Sequence, residues 1–186
     1  LKWRGLWLLS KLDNENRLKH LEDALAILDV GAGLAPAPIG QPQGLPLQKE
    51  LIYLLFSSGK FDDAFVYAER MAMKRVRDEA ARAKYPMPKE EAPLSARDVQ
   101  WLLDEKTAVI RYMLTDGGLL IWLIDSDGIH GKTLRVSEEQ LKEWIFDFSS
   151  SLDKKEPMDR LSAILINPVA DLLAKKKQIY IIPDPL

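Results

Sequence analysis

The sequence predicts a mixed α+β (α/β) fold, with helical hairpins first and then an α/β domain built from an antiparallel meander, two helices and one further strand. Three observations predict it. Up to about residue 85, apolar residues recur every three to four positions. Beyond that point they come in short β-branched and aromatic blocks separated by Asp-Gly turns. Two proline-rich stretches, 34–46 and 85–93, punctuate the chain.

Leu18, Leu21, Leu25 and Leu28 form one stripe and predict a helix near 17–30, with Asn14 or Asn16 placed to cap it and Gly31 and Gly33 to stop it. The segment LAPAPIGQPQGLP at 34–46 holds four of the eleven prolines, which excludes regular structure and predicts an inserted loop. A second helix is expected from Leu47 to Ser57, broken by Gly59, and a third from Asp62 to about Lys84. YPMPKEEAP at 85–93 reads as a boundary between a first domain, 1–85, and a second, 94–186.

Ser95 caps a short helix reaching Leu103. Three strands follow: Thr107–Leu114; Leu119–Ile124, apolar on both faces and so expected between two layers; and Ile129–Val136. Their turns are Thr115-Asp116-Gly117-Gly118 and Ser126-Asp127-Gly128, which make the meander. Ser137 caps a helix whose Leu141, Trp144, Ile145 and Phe148 form the clearest amphipathic stripe in the chain. Another helical stretch spans about Met158–Lys175, with Asn167-Pro168 as an internal cap and first-turn proline. QIYIIP at 178–183 is expected as a buried, parallel strand.

Composition narrows the chemistry. With 26 Lys+Arg against 28 Asp+Glu the net charge is −2, a poor match for nucleic-acid binding. There is no cysteine, so disulfides, thiolate metal sites and cysteine nucleophiles on this chain are excluded. The N-terminus begins without Met and lacks the continuous apolar run of a signal peptide, so the expectation is that the true start lies upstream. The longest apolar runs, 51–56 and 119–124, fall far short of the ~20 residues that span a bilayer. A cytoplasmic location is therefore expected.

Gly59, Phe61, Ala64 and Ala68 resemble the middle of a tetratricopeptide repeat (TPR). There the glycine permits the turn between helices, the aromatic fills the gap and the alanines allow close approach. Leu51 and Leu55 sit where the first helix of such a repeat presents its core. Ile52 and Met71 depart from the pattern at positions that are usually small. Leu21, Ala24 and Leu28 resemble the second helix of a preceding repeat.

Residues 94–186 resemble the opening half of a CHAT domain, a caspase-like module often found behind TPR arrays. The likeness lies in the order of LSARDVQWLL, EKTAVIRYML, LLIWLIDSDGIHGKTLRV, EEQLKEWIFDF, LSAILINPVADLL and QIYIIPD. It implies a parent similar to cysteine endopeptidases of the caspase class, with a His–Cys dyad on later strands and protein partners recognised by the helices. This chain itself would be inactive, with no catalytic, cofactor or metal residue of its own. The rival expectation is a non-catalytic interaction module. Uncapped edges at both ends are expected to promote self-association.

Several residues invite a stronger claim. His130 and His20, the two histidines, are expected at the surface or half-buried on a hairpin and on a solvated helix face, respectively. Asp125, Asp127 and Gly128 resemble the start of a calcium loop, but position twelve from Asp125 is Val136 rather than Glu, so turn chemistry accounts for them. Lys175–Lys177 reads as a solvated helix end. Met71–Lys84 reads as a mixed, exposed helix face. Trp3, Trp7, Trp101, Trp122 and Trp144 are expected in core or interlayer positions.

Overall fold

The computed structural model describes residues 16–31, 45–85, 92–150 and 155–184. The chain clusters into two compact units, Leu1–Glu91 and Ala92–Leu186. Trp3, Trp7, Asn14, Gly33 and most of the proline-rich segments lie outside the described residues.

In the first unit, α1 (Arg17–Gly31), α2 (Leu45–Ser57) and α3 (Phe61–Arg82) follow one another. Leu45 and Pro46, expected in the loop, instead open α2; a first-turn proline sacrifices only an amide that has no helical partner. Leu21 and Ala24 of α1 and Leu51, Ile52 and Leu55 of α2 are buried together with Phe65 and Ala68 of α3. The α2–α3 turn works as the residue types require. Gly59 takes φ +79°, its amide reaches the Phe56 carbonyl, and the Lys60 amide reaches Leu55. These are the two bonds of a Schellman closure. Phe61 then meets Phe56 edge-on at 4.9 Å, and Ala64 is fully buried beneath it. Arg17 and Glu50 join α1 to α2 at 2.6 Å. α3 ends in the same closure, but with Lys84 in the left-handed conformation at φ 57°.

The second unit begins with α4 (Ala96–Trp101), shorter than expected. Ser95 accepts from the Asp98 amide while the Asp98 carboxylate accepts from Ser95, forming a capping box. The Ser95 backbone bond, followed by its hydroxyl, holds the Asp98 carboxyl below its ordinary range.

Strands β1 (Thr107–Thr115), β2 (Gly118–Asp125) and β3 (Gly128–Leu134) form the expected meander. The first turn differs in its chemistry from an Asp-Gly type I′ hairpin, because the positive φ falls on Gly118 (127°) rather than on Asp116 or Gly117. A Cβ there would lie 2.2 Å from the Leu134 carbonyl oxygen, so Gly118 also lets the exit of β3 pass close by.

Helices α5 (Glu138–Ser150), α6 (Lys155–Leu165) and α7 (Ala170–Leu173) follow, with a 3₁₀ turn at Asn167–Val169 between the last two. The helical stretch expected over 158–175 divides beside Asn167-Pro168, although Ile166 rather than Asn167 holds the cap position and no side chain caps the turn: Pro168 supplies no amide to continue α6 but suits the first turn of what comes next. β4 (Gln178–Ile182) returns parallel to β1, giving the order β3-β2-β1-β4.

One sheet face carries Ala108, Ile110, Tyr112, Leu114, Leu119, Ile121 and Leu123, packed with Leu141, Val169 and Leu173. Alternation puts Val109, Arg111, Met113, Leu120, Trp122 and Ile124 on the other face, and these too are buried, so β2 is an interlayer strand as expected. Tyr112 Oη donates to the Leu165 carbonyl at 2.6 Å, fixing the end of α6 to the sheet. Among the described residues no helix is long and apolar enough to cross a membrane.

Three burial expectations are corrected. β4 is not buried on both faces: Ile179, Tyr180 and Ile181 are 42%, 52% and 55% exposed, because the strand has β1 on one side and is an edge. Trp101 is 86% exposed, because α4 is under two turns long and buries Ala96 instead. On the α5 stripe, Leu141 is buried and Trp144 and Phe148 are half-buried, while Ile145 faces out.

Candidate functional site

The residues singled out by sequence converge at the β2–β3 turn. Asp125 closes β2 and is almost fully buried. Its Oδ1 accepts from the Asp127 and Gly128 amides, both at 3.0 Å, so the DSDG segment is the side-chain-capped turn that its composition suggests. Its Oδ2 lies 3.0 Å from Lys176 Nζ, and that ammonium also donates to the Glu105 carbonyl. The Lys176 side chain is 5% exposed, which overturns the reading of Lys175–Lys177 as uniformly solvated. The helix end places the middle lysine over the sheet, where a buried carboxylate awaits it, while Lys175 and Lys177 stay exposed.

His130 sits on β3 beside this pair, half-buried as expected of a hairpin histidine. Its Nε2 is 3.8 Å from Asp125 Oδ1, beyond hydrogen-bond range, and has no hydrogen-bond partner. Catalytic use would need a hydroxyl nucleophile bonded to the ring and a carboxylate free to orient it. Neither condition is met, since Asp125 is already engaged through both oxygens. The Asp125–Lys176 pair acts as a staple that joins the β2–β3 turn to the approach of β4. His20 lies on α1 in the first unit and is half-buried rather than on a solvated face. Among the described residues no group of three or more His, Cys, Asp or Glu side chains is arranged to hold a metal ion.

Two buried charges escaped the sequence reading. Lys176 was hidden in a run of lysines, and Arg111, buried in β1, stands alone in the apolar block TAVIRYML. A lone cation inside such a block is the signal that could have found the second. Asp184 was another silent position. Its Oδ2 accepts from the Leu114 amide at 2.8 Å, so a side chain takes up the β1 donor just past the last paired residues, Arg111 and Ile182.

The features that remain are surfaces suited to recognition. The helical unit carries a cavity of about 260 Å³ lined by Glu22, Leu55, Asp63, Val66, Tyr67 and Arg70. The Arg70 guanidinium stands 5.5 Å over the Tyr67 ring. In the second unit Leu94, Trp101 and Leu102 are exposed around α4, as are Ile179, Tyr180 and Ile181 along β4. Exposed aromatic and aliphatic side chains of this kind are what protein contacts use. No family model matches the sequence, and no curated protein or solved structure matches it.

Proposed function

We propose that this chain is a recognition and scaffolding segment, in which TPR-like helical hairpins precede the front part of a caspase-like α/β domain. It would belong to a cytoplasmic protein resembling TPR–CHAT cysteine endopeptidases, and it carries no catalytic residue itself. The observation that carries the reading is the path of the second unit: an antiparallel meander, helices packed against one sheet face, then a strand returning parallel to β1. The helical unit supports it, because Gly59, Phe61, Ala64 and Ala68 each do physically what the repeat pattern asks of that residue type. Without a thiol the chain lacks the nucleophile that cysteine peptidases use, and Asp125, tied to Lys176, is not free to orient His130.

The second reading is a pure interaction module, favoured by the exposure of Trp101 and Leu102. The test is the polypeptide that carries this segment. The leading reading expects a His and then a Cys, each closing an apolar strand, and endopeptidase activity lost when that Cys becomes Ala. A polypeptide without the pair, or one whose proteolysis survives the substitution, overturns it in favour of the interaction module.

A further inference from the structure

We propose that the cavity beside α3 seats an amphipathic helix of a protein partner. That helix runs antiparallel to α3 and carries an acidic residue and, two turns later, a basic one, with apolar residues between them. The inference deepens the recognition reading of the helical unit and rests on it.

One stripe of α3 starts the reasoning. Asp63, Val66, Tyr67 and Arg70 follow i, i+3, i+4, i+7, and all four line the cavity of about 260 Å³. Asp63 and Arg70 are therefore about 10 Å apart along the helix axis, too far to pair with each other. The positions one turn from Arg70 are Val66, Tyr67, Met73 and Lys74, none of them acidic. Its guanidinium is held over the Tyr67 ring instead, which leaves N–H groups to meet a carboxylate.

Glu22 adds to the acidic end. Arg17 of α1 bonds Glu50 of α2, and five residues further along each helix Glu22 and Leu55 line the cavity together. The Leu55 carbonyl accepts from the Lys60 amide at the α2–α3 turn, so this is the end where Asp63 stands. Among the described residues Glu22, Asp63 and Arg70 form no ion pair. The cavity thus has an anionic end at the turn, a cationic end two turns away, and Val66 and Tyr67 between them beside the buried Leu55.

Charge complementarity names the occupant: a basic residue at the turn end and an acidic one at Arg70. On a helix these stand seven positions apart with two apolar residues between, the pattern by which helices lie in grooves. The partner's own dipole sets the order, favouring the acid toward its N-terminus and the base toward its C-terminus. That order meets the cavity only when the partner runs antiparallel to α3.

The test is fluorescence anisotropy of a labelled alanine-based peptide, about 16 residues long so that it can form a helix, with Glu-x-x-Leu-Leu-x-x-Lys on one face. Titrated with the intact chain, it is expected to bind with a Kd of about 100 μM. Exchanging Glu and Lys in the peptide is expected to weaken binding at least about fivefold, the scale of one exposed ion pair. Arg70→Glu in the chain is expected to weaken the original peptide by a similar factor, and replacing the peptide Glu by Lys is expected to restore binding. No binding up to about 1 mM, equal binding of the exchanged peptide or of peptides bearing Lys or Glu alone, or an Arg70→Glu variant that binds unchanged, each overturns the proposal. None of these outcomes bears on the His–Cys pair of the polypeptide that carries this segment, on which the caspase-like reading stands.

Discussion

Replacing Asp125 by Asn tests the staple at the base of the sheet. Asn retains an oxygen for the Asp127 and Gly128 amides, so the turn survives, but it presents an amide to Lys176 where a carboxylate stood 3.0 Å away. Both side chains are at most 5% exposed, so water does not compensate the stranded ammonium. Breaking a buried pair from one side costs about 3–5 kcal/mol. Part of the ammonium's demand is still met by the Glu105 carbonyl, which places the expected loss near the lower figure, about 3 kcal/mol.

For a unit of this size that corresponds to roughly 12–24 °C in Tm. Lys176→Met, which keeps the stem and removes the charge, should cost a similar amount. The double variant should lose less than the sum by at least about 1.5 kcal/mol, because it strands neither partner. The assay is urea unfolding of the intact chain followed by the fluorescence of buried Trp122, at low and high salt. A dry pair is screened little, so the losses should barely change with salt. Single variants costing under about 1 kcal/mol, or an additive double, would show that the pair is an incidental contact and that β4 is held by its ladder alone.

Two other perturbations follow from single positions. Gly118→Ala should cost about 2–4 kcal/mol, since it combines a positive φ with a Cβ 2.2 Å from the Leu134 carbonyl. Gly59→Ala meets nothing within 4 Å and should cost only about 1 kcal/mol of backbone strain; thermal melts of the two variants check the order. Burial pushes the Tyr112 hydroxyl up from 10 to about 12. The folded state therefore keeps this proton while the unfolded state releases it, and the associated stability is intact below pH 10 and lost as pH rises toward about 12. An alkaline absorbance titration should show one late tyrosine that is missing from Tyr112→Phe.

Elements governed by local rules were legible in the sequence. The Ser95 cap, the break at Gly59 and the two meander turns each depend on residues within about four positions of one another. Helix α2 and strand β2 were legible because their apolar pattern is unambiguous. What could not be read was set by partners far along the chain. Lys176 is buried because Asp125 lies across the sheet from it, and no local pattern separates it from Lys175 and Lys177. β4 has the composition of a central strand, yet its exposure depends on how many neighbours it has. Trp101 looked like a core residue because its apolar neighbours imply a longer helix than the six residues that form. The same division applies to the candidate site. The turn at Asp125 was visible in DSDG, but its engagement by a distant lysine was not.

The carboxylate of Asp184 on the Leu114 amide gives the sheet a stepped outline. β4 accompanies β1 only as far as Arg111, and just above that point a side chain occupies the donor that a longer strand would have claimed. The upper rungs of the β1–β2 hairpin, Met113 to Thr115, therefore rise past their shorter neighbour like a taller slat in a fence. Anything that meets the sheet from this side finds a landing at the level of Ile179–Ile181 and a shoulder above it, so the step itself limits how far along the edge a visitor can slide.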